Sequence, residues 1–356
     1  MKRLSITQLI PGMIVAEDVY NLDHELLIPK GTVLTDKLIT KLDLYGILTI
    51  FAEDVLPAAD LSETESSYYE RIKSSPEFHL FKEDFENEVE LFRENMNLVV
   101  QKNTALDVKT LLKSTLSIVS NHSGSISILD MLQNMREYDD STYTHSLNVA
   151  LICNVIGNWL RMNEKDLKVL VTCGLLHDIG KLRVPNDIIT KPGKLTVQEY
   201  EIVKKHPQYG YEMLKDKKLD RRVKLAALQH HERFGGTGYP YGLMGSDIEY
   251  FSSIVAVADV YDAMTSNRCY RKGICPFKVI GILEQDKDAY EPGVLYLFME
   301  RTIEAYVNTE VLLSNGEQGK VVLLNKSLLS RPVVMTDKGT IYDLSKDFRM
   351  SIEALI

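Results

Sequence analysis

The chain has 356 residues, of which 45% are hydrophobic and 26% charged, so it has the size and composition to bury at least one sizeable core. Its formal net charge of −9 at pH 7 argues against a sequence-independent binder of nucleic-acid polymers, because such a protein needs a basic face. A small anionic ligand is still compatible, since a few local cations can reverse the potential inside one cleft.

No targeting segment or membrane span is recognisable in the sequence. The N-terminal MKRLSITQLI lacks the long apolar core of a signal peptide, and no run reaches the roughly 18 apolar residues of a membrane-spanning helix. The four cysteines show no CxxC spacing. We therefore expect a cytoplasmic protein that does not insert into a membrane.

Residues 1–55 predict a small α+β module. The segments GMIVAEDVY and ELLIPKGTVL have the composition of strands, and a turn near 21–24 joins them. The next segment, TDKLITKLDLYG, predicts a helix that begins at Thr35 and ends near Gly46. ILTIF then predicts a returning strand.

Residues 56–122 predict a linker and amphipathic helices. Positions 56–76 are polar, and large apolar residues then recur at spacings of three or four: Phe78, Phe81, Phe85, Val89, Phe92, Met96 and Val99. Two interpretations stay open at this stage. The stripe packs on its own domain, or residues 78–99 form the seam of a homodimer.

The rest of the chain predicts a helical domain over residues 123–306 and a small β module over residues 307–356. In the last segment Asn315-Gly316 is a strong hairpin signal, and RPVVMTDKGTIYDLS predicts a second hairpin. A β module this small buries little surface alone, so we expect it to dock on the helices. The predicted fold class is therefore mainly α, with small modules at both ends.

The helical domain holds a group of side chains suited to metal binding. Two aspartates, Asp178 in VLVTCGLLHDIGKL and Asp259 in SSIVAVADVYDAMTS, lie in apolar helical segments, where a carboxylate is costly unless paired or coordinating. Asp262, one turn further on, is expected to hydrogen-bond a ligand. Five of the eight histidines lie in the same domain: His145, His177, His206, His230 and His231.

This donor set predicts two divalent metal ions. Nitrogen and oxygen donors without cysteine suit iron, manganese or related ions at an open catalytic site better than a closed zinc site. Five histidines and two aspartates also exceed what one tetrahedral ion accepts. An aspartate has two oxygens and can bridge two ions, which is the role expected for Asp178.

Five separated motifs follow one another between residues 125 and 300: His145, HDIGK at 177–181, HP at 206–207, HHERFGGTGYP at 230–240 and VADVYDAMTSNRCYR at 257–271. In this order they resemble the HD-GYP family of HD-domain phosphohydrolases. The resemblance implies a helical HD-type domain with two or three metal ions, often iron. It also implies phosphodiesterase activity on the bacterial second messenger cyclic di-GMP, yielding pGpG and then GMP through a metal-bridging hydroxide.

The resemblance also implies a role for each matching residue. Asp178 and Lys181 are the expected catalytic residues, and Lys181 either stabilises charge on the phosphate or assists departure of the 3′-oxygen. Arg268 and Arg271 are expected to contact the phosphates together with Lys181. Tyr239 either stacks on a guanine or packs the loop. The implied metal ligands are His145, His177, Asp178, His206, His230, His231 and Asp259. His231 points about 100° away from His230, toward the place of a third ion, so it is either a ligand or a contact to a ligand or to the substrate.

The sequence departs from the family pattern at three positions. Some members carry a glutamate one helical turn before the first histidine, where this chain has Ser141, and Asp139 and Asp140 lie at other helical azimuths. We therefore predict a binuclear site that holds two ions, iron or manganese. Gly235 and Asn267 stand where aspartates are common, but neither change removes a ligand, so we expect an active enzyme.

Two alternatives to a cyclic di-GMP phosphodiesterase stay open. The first is a catalytically silent receptor that binds the nucleotide and signals through the flanking modules. The second is an HD hydrolase that acts on another phosphate ester, such as a cyclic GMP–AMP dinucleotide or a nucleotide monoester. An assay of turnover on a panel of substrates separates these alternatives.

Overall fold

The computed structural model divides into two units, Met1–Glu65 and Ser66–Ile356. The residues that it describes are 2–5, 9, 13–20, 26–32, 34, 38–39, 42, 49–53, 68–102, 107–122, 126–135, 142–191, 195–265 and 275–356, with the side chains of 2–3, 5, 20, 26–27, 49, 53 and 97–102 left aside. The boundaries at 55, 122 and 306 given by the sequence stay predictions.

The first unit contains two small antiparallel sheets. Its strands are β1 (Lys2–Ser5), β2 (Ile14–Val15), β3 (Val19–Tyr20), β4 (Leu26–Ile28) and β5 (Thr49–Glu53). One sheet has the order β1-β5-β2, and β3 pairs with β4 in the other. The strand pair across 21–24 and the returning strand are confirmed, whereas β1 was not predicted. Leu38, Ile39 and Leu42 are helical, but Thr35 and Gly46 lie outside the described residues.

The second unit is mainly helical. Its helices are α1 (Tyr68–Lys73), α2 (Pro76–Lys102), α3 (Val108–Asn121), α4 (Ile128–Met135), α5 (Thr142–Trp159), α6 (Glu164–Leu176), α7 (Asn186–Ile189), α8 (Val197–Val203), α9 (His206–Leu214), α10 (Arg221–Gln229), α11 (Tyr250–Thr265), α12 (Pro276–Gln285) and α13 (Pro292–Glu304). Short 3-10 helices cover Ile179–Arg183, Gly245–Asp247 and Lys287–Ala289. Within the described ranges, none of the helices is both long and apolar enough to cross a bilayer.

Local capping signals fix where several helices begin. Thr196 and Glu199 form the expected capping box at the start of α8, which satisfies backbone N–H groups that lack a partner within the helix. Pro207 stands in the first turn of α9, where the missing N–H of proline leaves no hydrogen bond unmade. The chain is therefore broken and restarted just at His206.

The apolar stripe of α2 lies inside the core of its own unit. No described member is more than 6% exposed: Phe78, Phe81, Phe85, Val89, Phe92 and Met96. These side chains belong to one hydrophobic core with α5, α6 and α11. The described apolar stripe is therefore packed on its own domain, which is the first of the two interpretations, and it is not free to cover a second copy. A homodimer through other surfaces of residues 78–99 stays a prediction.

Phe85→Ala is expected to lower the free energy of unfolding by about 3–5 kcal/mol, because it leaves a cavity in a closely packed core. The ring of Phe85 lies 5.8 Å from that of Phe81, centroid to centroid. Denaturant unfolding measures the loss, and Leu80→Ala on the same helix, where the side chain is 61% exposed, should change stability by about 0.5 kcal/mol or less. The oligomeric state measured by sedimentation should not change. If the wild type were a dimer, and Phe85→Ala dissociated it without lowering the free energy of unfolding, the apolar stripe would be a dimer interface after all.

The C-terminal residues form a five-stranded antiparallel sheet. Its strands are β6 (Glu310–Leu313), β7 (Gln318–Leu323), β8 (Val333–Thr336), β9 (Ile341–Asp343) and β10 (Ile352–Leu355), in the order β10-β6-β7-β8-β9. Both predicted hairpins are confirmed, and Gly316 takes the φ of +83° that its turn requires. Val311, Val321 and Val334 share one core with the helices, which confirms the expected docking. β10 was not predicted.

Candidate metal centre

The seven predicted ligands converge from the ends or faces of five helices. They are His145 in the first turn of α5, His177 and Asp178 directly after α6, His206 at the start of α9, His230 and His231 directly after α10, and Asp259 in α11. Most of them lie where a helix begins or ends. Helix ends carry backbone carbonyls without intrahelical partners, and imidazole rings nearby can use these carbonyls as hydrogen-bond acceptors.

The ligand atoms fall into two adjacent groups. Asp178, His206, His230 and His231 form one group, and His145, His177 and Asp259 form the other; in each group the candidate ligand atoms lie within 4.8 Å of one another. All seven predicted ligands are thus brought together. Two groups of this size are consistent with a binuclear metal site.

Backbone carbonyls set the orientation of three of the imidazole rings. Nδ1 of His177 lies 2.7 Å from the carbonyl oxygen of Gly174, and Nδ1 of His206 lies 2.7 Å from that of Val203. His230 makes the same contact with its own helix, from Nδ1 to the oxygen of residue 226 at 3.0 Å. A carbonyl oxygen only accepts, so Nδ1 must carry the proton, and Nε2 of the neutral ring then offers its lone pair to the centre.

The inward-facing atoms do not satisfy one another. Nε2 of His206 lies 3.1 Å from Nε2 of His230 and 3.1 Å from Oδ1 of Asp178. Among the described atoms, Nε2 of His177 and both carboxylate oxygens of Asp178 are buried without a hydrogen bond. Lone pairs this close repel unless a proton or a cation lies between them, and a buried polar group without a partner is costly. The donor set therefore fits divalent cations.

Asp178 connects the two groups. Its Oδ1 lies 3.1 Å from Nε2 of His206 and 3.6 Å from Nε2 of His230, in the first group. Its Oδ2 lies 3.4 Å from Nε2 of His177 and 3.6 Å from Nε2 of His145, in the second. One oxygen thus faces each group, which is the arrangement of a carboxylate that bridges two ions.

In the first group, burial and nearby charge favour the protonation states that can bind a metal ion, an ionised carboxylate and a neutral imidazole. Burial alone would raise the pKa of Asp178, but nearby positive charge, foremost that of the Lys181 ammonium, outweighs burial and holds that pKa well below its usual range. Nζ of Lys181 lies 2.5 Å from Oδ2 of Asp178 as an ion pair, although the pair lacks hydrogen-bond alignment. Burial lowers the pKa of His230 to about 4. The carboxylate is thus ionised and this imidazole neutral at pH 7.

His145 differs because two carboxylates flank it. Its Nε2 lies 3.0 Å from Oδ1 of Asp259, and its Nδ1 lies 2.7 Å from Oδ2 of Asp262. Burial lowers the pKa of His145, but the hydrogen bonds to these carboxylates outweigh burial and raise it to about 10. A cation bound here must displace the Nε2 proton, so metal affinity should increase as the pH rises.

The expected hydrogen-bonding role of Asp262 is confirmed. Its Oδ2 contacts Nδ1 of His145, and its Oδ1 accepts a hydrogen bond of 3.0 Å from Nδ2 of Asn148. The side chain of Asp262 is buried. A carboxylate on the outer nitrogen of an imidazole fixes the tautomer that presents Nε2 inward.

Asp262→Asn is expected to weaken metal binding by about 10–100-fold, because the amide nitrogen can donate to Nδ1 of His145 and so favour the wrong tautomer. Competition with a chelator measures the change. Asn148→Ala, which removes only the support on Oδ1 of Asp262, should have the smaller effect. An Asp262→Asn protein that binds metal as tightly as the wild type would contradict this role.

Tyr239 lies against one of the histidines rather than beside the loop alone. Its ring stacks on that of His231, with centroids 4.6 Å apart and planes 28° from parallel. Its backbone N–H donates to the carbonyl oxygen of His231 at 3.1 Å. The structure thus gives the ring of Tyr239 a packing contact on His231 that was not predicted, and its contact with a guanine stays a prediction.

Of the remaining residues expected from the sequence, Lys181 lies at the centre, and several others lie outside the described part of the chain. Nζ of Lys181 is 2.5 Å from Oδ2 of Asp178, and its side chain is 25% exposed. The two arginines expected at the phosphates, Arg268 and Arg271, lie outside the described residues. So do the positions that bear on a third ion and on the family pattern: Asp139, Asp140, Ser141 and Asn267.

Sequence reasoning missed two residues that shape the site. A Cβ on Gly180 would lie 1.9 Å from the carbonyl oxygen of His206, so the 3-10 helix after Asp178 packs directly on the first turn of α9. Glu232 is buried, and its carboxylate accepts hydrogen bonds from the backbone N–H groups of Tyr241 and Leu243, in the glycine-rich loop of residues 235–243. Both residues stand inside the quoted motifs, but only the tertiary contacts give them a role.

The sequence model of the HD domain family matches residues 110–294. The cyclic di-GMP phosphodiesterase PA4108 of Pseudomonas aeruginosa is 37% identical over 192 residues, 54% of this chain and 46% of that protein. The 3′3′-cGAMP-specific phosphodiesterase 2 of Vibrio cholerae is 36% identical over 162 residues, 45% of this chain and 31% of that protein.

The chain thus spans less than half the length of either relative. Among solved structures, the HDG"Y"P protein Bd1817 of Bdellovibrio bacteriovorus covers 85% of this chain and 99% of its own, with 15% sequence identity and a TM-score of 0.49.

Proposed function

Because the chain belongs to the HD-domain family, we propose that it is a metal-dependent phosphodiesterase that hydrolyses cyclic di-GMP to pGpG and GMP. The observation that supports this most is the placement of Asp178, with one carboxylate oxygen toward each group of candidate ligands. Phosphodiester hydrolysis is a reaction that two adjacent divalent ions promote.

The proposed cofactors are two divalent ions per chain, iron or manganese. His206, His230, His231 and Asp178 would hold one ion, and His145, His177, Asp259 and Asp178 the other. Neutral imidazoles and carboxylates without thiolate favour these metals over a structural zinc site. When bound, such ions lower the pKa of coordinated water and offset negative charge on a phosphate.

Lys181 is the proposed protein group that acts on the substrate phosphate. Its ammonium lies beside Oδ2 of Asp178, and its side chain is partly exposed, so a substrate phosphate at the metal centre could exchange with or share this ion pair. There Lys181 would stabilise negative charge on the phosphate or on the departing 3′-oxygen. Arg268 and Arg271 remain proposed phosphate contacts on the strength of the sequence motif.

Cyclic di-GMP is the first candidate substrate, and 3′3′-cGAMP is the second. The relative that shares the longer segment with this chain is named for cyclic di-GMP, and another is named for 3′3′-cGAMP. Both molecules are cyclic dinucleotides with two phosphodiesters, so the shared part of the proposal is this class. A silent receptor is disfavoured, because a receptor that only binds the nucleotide has no need of two adjacent groups of candidate metal ligands.

The proposal is tested with protein purified without oxygen, loaded with Fe²⁺ or Mn²⁺ and incubated with cyclic di-GMP, 3′3′-cGAMP or a nucleotide monoester. We expect pGpG and then GMP, with the highest kcat/KM on cyclic di-GMP. Faster turnover of 3′3′-cGAMP would favour the second candidate. Binding without turnover would favour the receptor, and hydrolysis of the monoester alone would contradict a dinucleotide phosphodiesterase.

A further inference from the structure

Glu232 directly follows the two histidines, yet it does not join the candidate ligands. The side chain is only 2% exposed. Its Oε1 accepts a hydrogen bond of 2.8 Å from the N–H of Tyr241, and its Oε2 accepts one of 3.0 Å from the N–H of Leu243. Hydrogen bonds to a carboxylate are stronger than those between neutral groups. Glu232 therefore ties the end of the glycine-rich loop to the segment that carries the histidines.

The loop also contacts the backbone of His231 and Glu232 at a second place, through Gly238 and Tyr239. The N–H of Tyr239 donates to the carbonyl oxygen of His231. A Cβ on Gly238 would lie 2.4 Å from Cα of Glu232, a distance that real Cβ atoms do not show, so only glycine permits this approach. The backbone around 238–243 is thus held against 231–232 by hydrogen bonds on both sides of Pro240.

His231 is the candidate ligand that needs such support. The rings of His145, His177, His206 and His230 are each fixed by a hydrogen bond from Nδ1. In the part of the chain that can be described, His231 has no such bond, and its Nδ1 lies 3.8 Å from the nearest carboxylate oxygen, on Asp259. Three rings pack on this imidazole, those of His230, Tyr239 and His206, with centroids 4.2, 4.6 and 4.9 Å away. Tyr239 is the one among them that is not itself a candidate ligand, and its ring is stacked on that of His231.

We propose that Glu232 is a positioning residue that holds the loop so that the ring of Tyr239 orients His231 toward the metal centre. Glu232 acts through Tyr239 and not on an ion. This inference rests on the proposed function, since it takes His231 as a metal ligand. It gives the loop a role in the metal centre of this chain that is separate from any contact with a nucleotide base.

The test compares the rate at which Mn²⁺-loaded proteins release metal to an excess of chelator. Glu232→Gln keeps the size of the side chain, but its amide nitrogen cannot accept a hydrogen bond, so one loop N–H loses its partner. We expect metal release about tenfold faster than from the wild type. This is the lower end of the effect, about 10–100-fold on metal affinity, that follows when a group orienting a metal ligand is removed. Tyr239→Leu should match it, while Tyr239→Phe keeps the ring and should behave as the wild type.

The double variant Glu232→Gln, Tyr239→Leu distinguishes action through Tyr239 from an independent effect. If Glu232 acts through the ring, the double variant releases metal no faster than Tyr239→Leu alone. Glu291→Gln is the matched control, because the carboxylate of Glu291 also accepts from a backbone N–H, that of Val294 at 2.6 Å, but at the start of α13. It should release metal at the wild-type rate.

Cleavage by chymotrypsin in the metal-free protein gives a second readout that needs no activity. Tyr241 is exposed, and Glu232→Gln should be cut after it about tenfold faster if the carboxylate holds the loop. Wild-type metal release from Glu232→Gln and Tyr239→Leu, or multiplying effects in the double variant, would overturn the inference. A wild-type protein that retains no metal contradicts the proposed function instead, so the two failures are distinguishable.

Discussion

Asp178→Asn is expected to lower kcat on a cyclic dinucleotide by about 10³-fold or more and to remove at least one of two bound ions. One oxygen of Asp178 faces His206 and His230, and the other faces His177 and His145. An asparagine has the same shape, but it offers one neutral acceptor and turns an N–H₂ group toward one set of imidazole nitrogens. It can therefore serve one ion at most, and a two-ion centre cannot persist.

The loss should appear in metal content as well as in rate. Elemental analysis and turnover are measured on the same preparation, with circular dichroism to confirm that the helices are retained. Asp187→Asn is the control, since it makes the same chemical change on an exposed carboxylate in the first turn of α7 and should leave both quantities unchanged. An Asp178→Asn protein with two ions and more than about a tenth of wild-type kcat would show that Asp178 does not bridge them.

Gly180→Ala is expected to destabilise the fold by about 3 kcal/mol or more, equivalent to a fall in Tm of about 6–12 °C in a unit of this size. A Cβ at this position would lie 1.9 Å from the carbonyl oxygen of His206 and 2.4 Å from the backbone nitrogen of Gly210. Both neighbours are backbone atoms, so no change of rotamer relieves the clash. The 3-10 helix that follows Asp178 must move away from α9.

The same movement should weaken metal binding, because Asp178 and His206 would separate. Differential scanning calorimetry and chelator competition measure the two effects. Gly281→Ala is the matched control: its Cβ would meet only the side chain of Ser330, at 3.4 Å, and alanine is favoured over glycine inside a helix by roughly 1 kcal/mol. If Gly180→Ala proved as stable as Gly281→Ala, the close contact between the two segments would not exist in solution.

Local patterns predicted much of the fold because their causes are local. The capping box of Thr196 and Glu199 depends on residues three apart, and the turn at Asn315-Gly316 depends on one residue with positive φ. Periodicity showed that α2 has a buried face, but it does not say what covers that face. Packing on its own domain and packing on a second copy therefore both stayed possible until the tertiary contacts were known. β1 and β10 were missed because each is a short strand whose pairing is non-local.

The candidate site was predicted by composition more than by geometry. Asp178 and Asp259 stood out because buried carboxylates require partners. The sequence could not assign ligands to the two groups, since members of one group, such as His145 and Asp259, lie on helices far apart in the chain. Nor could it show that backbone carbonyls fix three of the rings, because these bonds form only where helices end. The support of His231 by Tyr239 and Glu232 depends on how one loop folds back.

The claim on which the rest depends is that these seven residues bind two ions bridged by Asp178. Elemental analysis of protein purified without oxygen, combined with electron paramagnetic resonance of the Mn²⁺-loaded form, tests it most directly. We expect two ions per chain, a spectrum of two exchange-coupled Mn²⁺ ions, and loss of the coupling in Asp178→Asn. One ion or three ions per chain, or two uncoupled ions in the wild type, would contradict it.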